Sequence, residues 1–207
     1  MGKQGYHHGN LRQALVDATL RLIAEKGPQG FTMAEAAKLA EVSTAAPYRH
    51  FSGREALIAE AARQGFEIFV TRIEAAFDAG RPDPLAAFMA IARSYLAFAR
   101  SNAGHYVAMF ESGLTPGTNP ELADAAGRAQ AVLTRAAAAL SAHLPVERRP
   151  SAVLFAAHVW AMSHGVVELY ARGAPAARAP MPPEDLLESG IRVYLRGLGL
   201  IPPDSAP

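Results

Sequence analysis

Apolar residues recur along this chain at intervals of three and four, and no stretch alternates in the manner of a strand. The pattern predicts an all-α protein. Leu11, Leu15, Ala18 and Leu22 form one stripe of a helix from Leu11 to Lys26, stopped by Gly27-Pro28. A short helix from Met33 to about Ala40 turns the small residues Ala36, Ala37 and Ala40 inward, and a long one follows from Gly53 to about Phe77. Further helices are expected near 84–101, 103–112, 120–143, 147–172 and 184–197, with a Pro/Ala loop from Gly173 to Pro183. No internal repeat is visible, and Arg81-Pro82-Asp83-Pro84 marks a boundary between segments.

Helix starts are signalled chemically. Thr32 with Glu35 and Ser52 with Glu55 have the spacing of capping boxes, in which the cap side chain and a Glu three residues on exchange bonds with backbone N–H groups. Asn10 with Gln13 is the looser form. Asp83-Pro84 and Asn119-Pro120 each pair a cap residue with proline at the first helical position, where the missing N–H is harmless.

The segment Ser43 to Phe51, STAAPYRHF, breaks the pattern. Proline within a helix costs roughly 3 kcal/mol, because it lacks an N–H and clashes with the preceding turn. If Ser43 or Thr44 caps a helix here, Pro47 falls in its first turn, where at most one bond is lost. The expected result is a short rigid helix presenting Thr44, Ala45 and Ala46, with Tyr48, Arg49 and His50 close behind. A short helix, a turn and a second helix with a small, polar front is the geometry of a helix-turn-helix reader. A helical hairpin with Tyr48 and Phe51 in the core and Arg49 and His50 solvated fits the same spacing; Phe51 is core in both cases.

Charge favours an anionic partner. Residues 1–54 hold seven Lys/Arg against four acids, a net +3, and the remainder of the chain sums to −2. The 207 residues are 50% hydrophobic and 19% charged, as expected of a globular protein with a sizeable core. No charge-free run of about 18 apolar residues appears, and Met1 to Asn10 lacks the apolar centre of a signal peptide, so a cytoplasmic protein without membrane contact is expected. The absence of cysteine excludes disulfides and thiolate metal sites.

Catalysis is not expected. The phosphate loop, Gly-x-Gly-x-x-Gly, Gly-x-Ser-x-Gly and His-Glu-x-x-His are all missing. His158 and His164, six positions apart, lie about 120° apart around a helix and do not face one metal. Glu184, Asp185 and Glu188 sit at a helix start, where acids suit the dipole. Neither metal nor cofactor is expected.

The segment TMAEAAKLAEVSTAAPYRHFSGREAL, preceded by YHHGNLRQALVDATLRLIAEKGPQGF, resembles the N-terminal DNA-binding domain of the tetracycline-repressor (TetR) family of bacterial regulators. The ordered string Thr32, Ala37, Val42, Ser43, Tyr48, His50, Phe51, Glu55, Leu57 carries the likeness over residues 6–60. Proline before Tyr-Arg-His-Phe, and Trp160, His164 and Gly165 in VWAMSHGVVELY, resemble a branch with a Trp-His-Gly (WHG) C-terminal domain; YLAFARSNAGHYVAMF resembles it too. The likeness implies that Thr44, Ala45 and Tyr48 meet the major groove of double-stranded DNA. It places Ser43, Arg49, His50 and Arg54 near phosphates, with Ala46 at the same surface and Thr32 beside the backbone. Two positions depart from the family pattern: Glu41 stands where glycine is usual, predicting a strained positive φ at about 1 to 2 kcal/mol, and Ala36 replaces a bulky aliphatic.

The implied division is a three-helix reader over 1–57 with an arm at 1–9, a larger helical ligand-binding and dimerisation domain over 58–200, and a tail at 201–207. The arm either touches the DNA backbone through Lys3, His7 and His8 or is disordered. Candidate cavity residues for a small hydrophobic or aromatic effector are Phe88, Tyr95, Phe98, His105, Tyr106, Met109, Phe110, Phe155, His158, Trp160 and Met162. The stripe Leu187, Ile191, Tyr194, Leu195 and Leu198 serves either the chain's own core or a homodimer interface. Gly165, inside a helix, predicts a close approach by a helix or ligand. Expected function is a homodimeric repressor released from a palindromic operator by its effector. The alternative is a helical small-molecule carrier or adaptor that does not bind DNA.

Overall fold

The computed structural model describes residues 8–115, 117, 119–171 and 180–202, with the side chains of residues 8–10 excepted. Among these residues there are eight α-helices and no strand: α1 His8–Lys26, α2 Met33–Leu39, α3 Arg54–Phe77, α4 Pro84–Ser101, α5 Ala103–Phe110, α6 Pro120–Ser141, α7 Ala152–Val166 and α8 Pro183–Gly197. A π-helical turn, Val167–Ala171, continues α7. Two compact units divide the chain. One holds the described residues up to Ile68 with Asn102–Ala126, and the other holds Phe69–Ser101 with those from Gly127 onward.

In the first unit the α1 stripe is broader than its periodicity predicts: Leu15, Val16, Ala18, Thr19, Leu22 and Ile23 are all buried. They share a core with Phe31, Met33, Phe51, Leu57, Ile58 and Phe66. Ala36 and Ala37 are fully buried, as their small size requires where helices approach closely. In the second unit Phe69, Ile73, Phe88, Tyr95, Phe98, Phe155, Val159, Leu187, Ile191 and Leu195 form the centre. Phe69 packs against Tyr95 and Phe98 with ring centroids 5.4 and 5.2 Å apart.

Caps follow the sequence chemistry at some helix starts and not at others. Thr32 Oγ1 accepts from the Glu35 N–H at 3.2 Å, and Glu35 Oε2 accepts from the Thr32 N–H at 2.8 Å, closing the predicted box. Lys26, then Thr32, hold the Glu35 carboxyl down to about 2. Asp83 caps Ala86 and Asn119 caps Leu122 as expected. Asn10 lies inside α1, which starts at His8, rather than at its N-terminal cap position. Likewise α3 starts at Arg54, which puts Gly53 rather than Ser52 at the cap position. Most of the predicted loop Gly173 to Pro183 lies outside the described residues, while Pro183 opens α8.

The turn after α2 carries the predicted strain. Val42 N–H donates to the Ala37 carbonyl and Glu41 N–H to that of Lys38, a Schellman motif with Glu41 at φ 57°. The same pair of bonds ends α8, where Gly199 occupies the left-handed position at φ 68°. Glycine carries no Cβ penalty there, whereas glutamate does. Glu41→Gly is therefore expected to stabilise the protein by about 1 kcal/mol in urea unfolding. An unchanged midpoint would show that the exposed Glu41 side chain compensates for its backbone.

Candidate nucleic-acid interface and ligand cavity

Pro47 shapes the segment from Ser43 to Phe51 differently from the sequence-based expectation. Only Pro47–Arg49 is helical, as a single 3-10 turn with proline at its start. Ala46 N–H donates to the Ser43 carbonyl, Arg49 N–H to that of Ala46, and both His50 and Phe51 N–H groups to that of Pro47. Pro47 has no N–H to begin a four-residue ladder, so the chain closes in tighter turns instead.

The segment is anchored from below. Pro47 and Phe51 are buried, with Phe51 5% exposed, while Ser43, Thr44, Ala45, Tyr48, Arg49 and His50 are exposed and Ala46 is half-buried. Tyr48 is 61% exposed, so its place as a core aromatic in the hairpin reading does not hold. Thr32 is exposed at the start of α2. Arg54, a candidate phosphate contact, is also engaged within the protein. Its guanidinium donates to the Gln29 carbonyl at 3.1 Å and the Gln29 side-chain oxygen at 2.6 Å, tying α3 to the turn before α2. Lys3 and His7 lie outside the described residues, as does the His8 side chain.

A residue that the sequence reading missed supports this surface. Glu60, with its side chain 6% exposed, accepts from Arg12 Nη2 at 3.2 Å, Arg63 Nε and Nη2 at 2.9 and 2.8 Å, and Gln64 at 2.9 Å. Arg12 also lies over the Phe51 ring, 5.3 Å from its centroid. One carboxylate thus joins α1 to α3 beneath the reader. Hydrogen bonding to Arg63 chiefly lowers its pKa, against a burial effect that raises it. A Glu and an Arg three residues apart on α3 were the only hint in sequence.

The predicted cavity residues separate into two groups. Phe88, Tyr95 and Trp160 line a small apolar space in the second unit, with Ile91, Ala92 and Leu133. Ala156, Val159 and Ser163 complete it, and its free volume is about 20 Å³. The small residues among these had no aromatic signal to reveal them.

The other candidates lie elsewhere. His105, Tyr106, Met109 and Phe110 belong to the first unit on α5. There a Cβ at Gly65 would lie 2.7 Å from Met109 Sδ and 3.0 Å from His105 Cβ, and one at Gly104 would lie 2.6 Å from the Leu20 carbonyl oxygen. The glycines let α5 seat tightly on α1 and α3, which directs those four side chains into packing. Burial lowers the pKa of His105, opposed by Asp17.

Phe98 packs on Phe69, and Phe155 on Phe88 and Tyr194. His158 is exposed, its Nδ1 2.8 Å from the Tyr194 hydroxyl. Burial raises the Tyr194 pKa. Met162 is half-buried near Gly190. A Cβ at Gly165 would meet nothing within 4 Å among the described residues, so no helix approaches closely there.

Leu187, Ile191 and Leu195 are at most 2% exposed and serve the unit's own core, with Tyr194 and Leu198 half-buried. The exposed apolar positions are others: Val153, Leu154, Ala157 and Ala161 on one face of α7, and Val193 on α8. Arg93 and Arg100 of α4 pair with Glu188 and Glu184 of α8, so those acids are ion-paired as well as near a helix start. No group of side chains able to hold a metal occurs among the described residues.

Two family patterns match this arrangement. Residues 15–61 match the pattern described as bacterial regulatory proteins, tetR family. Residues 88–194, half the chain, match the tetracyclin repressor-like C-terminal domain. The chain belongs to the TetR family.

Among solved structures, this TetR-family chain is similar to a protein of unknown function from Rhodococcus sp. RHA1, at 26% identity and TM-score 0.78, over 94% of this chain and 98% of that one. A transcriptional regulator from the same organism matches at 26% identity and TM-score 0.72, over 92% and 99%. AibR, solved with isovaleryl coenzyme A and operator DNA, shares the fold at 16% identity and TM-score 0.68, over 88% and 97%. No curated protein sequence matches significantly.

Proposed function

We propose that this TetR-family regulator is a homodimeric repressor that reads a palindromic operator and leaves it when a small hydrophobic or aromatic molecule binds. The observation that carries this reading is the exposed row Thr44, Ala45, Tyr48, Arg49 and His50, held on buried Pro47 and Phe51. Residues 1–57 act as the reader, residues 58–200 bind the effector and dimerise, and 201–207 are a tail. Thr44, Ala45 and Ala46 offer few bidentate donors, so selectivity rests on Tyr48, thymine-methyl contacts and DNA shape. Arg49, His50, Arg54, Ser43 and Thr32 meet the phosphates. Trp160, His164 and Gly165 support assignment to the WHG-type branch.

Dimerisation uses the outer face of α7 and α8. The stretch Val146–Ala171 is apolar and long enough to cross a membrane by length and composition, yet only 28% of its most apolar window is buried. Arg149 to Ser151 interrupt it with non-helical backbone. A contiguous apolar face of this kind is unusual on a monomer. A second copy covering Val153, Leu154, Ala157, Ala161 and Val193 accounts for that exposure in a cytoplasmic protein, and two-fold symmetry places two readers on paired half-sites.

Selection of bound sites from random duplex DNA, with affinity followed against salt, tests the reading. An enriched palindrome bound with a steep salt slope is expected. Sequence-blind weak binding would favour the carrier reading instead.

A further inference from the structure

The cavity of the second unit has an unusual wall. None of its nine lining residues is charged, and both hydroxyls among them are already engaged. Ser163 Oγ donates to the Val159 carbonyl of its own helix at 2.9 Å, and the Tyr95 hydroxyl lies 3.0 Å from His164 Nδ1. The neighbouring cations on α4, Arg93 and Arg100, are paired with Glu188 and Glu184. A carboxylate or phosphate placed here would be desolvated with no charged side chain among the lining residues, whereas an apolar group would lose nothing.

Size adds a second constraint. The free volume of about 20 Å³ admits one water-sized body, whereas a benzene ring occupies cavities of about 150 Å³. A ligand must therefore displace part of the wall. Trp160 is the one lining residue that is not buried, so its indole stands between the cavity and the surface.

We infer that this cavity takes an uncharged, hydrocarbon-like molecule, admitted by displacement of the Trp160 indole, and that it rejects carboxylates. The inference rests on reading the second unit as the effector-binding part.

Trp160 is the chain's single tryptophan, so its fluorescence reports the site directly. The full chain is titrated with methylcyclohexane and toluene, and with their charged counterparts cyclohexanecarboxylate and benzoate. Saturable fluorescence changes are expected from the neutral pair, with the carboxylates at least tenfold weaker. Ala156→Leu and, separately, Ala92→Leu fill the space and are expected to weaken the neutral response at least tenfold; melting temperatures identify whichever variant remains folded. Carboxylates binding as well as the neutral probes, no saturable response to the neutral probes, or a neutral response untouched in a folded filled variant would each overturn the assignment. Operator binding is measured separately on the same samples. Its absence beside selective neutral binding would remove the regulator reading and keep this one.

Discussion

Replacing Glu60 with alanine is expected to destabilise the protein by about 3 kcal/mol, the low end of the range for breaking a buried ion pair. The carboxylate is almost wholly buried and accepts from Arg12, Arg63 and Gln64. Its loss leaves two guanidiniums without their shared acceptor. The side chains of Arg12 and Arg63 are 52% and 24% exposed, so water partly replaces the lost bonds, which keeps the cost near the low end. Urea unfolding at neutral pH measures it. A change below about 1 kcal/mol would mean the cluster behaves like an exposed salt bridge.

The acid limb tests the same site. The pKa of Glu60 is lower in the folded state than in the unfolded chain. Its ionised contribution is therefore fully present above the unfolded value of about 4.3 and is lost as pH falls through the folded value. The stability gap between the parent and Glu60→Gln is expected to narrow below about pH 4. A gap that stays constant would place the difference in packing rather than charge.

In the reader, Tyr48→Ala and Arg49→Ala are expected to weaken operator binding by about 10- to 100-fold each, in different ways. Tyr48 presents an exposed aromatic ring with a hydroxyl, suited to base edges, so its loss relaxes sequence preference. Arg49, on the 3-10 turn, suits a phosphate. Its loss lowers affinity for all sequences alike and reduces the salt slope by about one. Both side chains are exposed, so unfolding free energies stay within about 0.5 kcal/mol of the parent. Affinity against salt on selected and scrambled duplexes separates the two roles. Equal binding by parent and variants would remove this surface from the DNA contact.

Much of the fold was legible because local chemistry and tertiary structure agree. Thr32 with Glu35, Asp83 and Asn119 cap helices where the sequence placed them, since each cap needs only neighbours within three residues. Glu41 shows the same logic applied to strain: the Schellman turn requires a left-handed residue whatever its identity. Where two starts competed within a few residues, local pattern was insufficient. Ser52 had the right partner at the right spacing, yet the helix begins one residue later than that box requires. Pro47 was read as a tolerated guest in an α-helix, but with so few residues on either side the missing donor favours tighter turns.

The sequence alone determined the helical class, the family, the position of the reader and the residues on its exposed face. Those properties follow from periodicity, capping and short ordered motifs, all written within a few turns of chain. Only tertiary structure decided which apolar residues become core, cavity or outer surface. Leu187, Ile191 and Leu195 face inward while Val193 faces out, and α5 aromatics pack in the first unit while Ala92, Ala156 and Ser163 line the cavity in the second. The Glu60 cluster joins residues 48 positions apart, Arg12 and Glu60. Hydrophobicity states that a side chain is to be buried but not against what, because the partner is set by long-range packing that no single helix encodes.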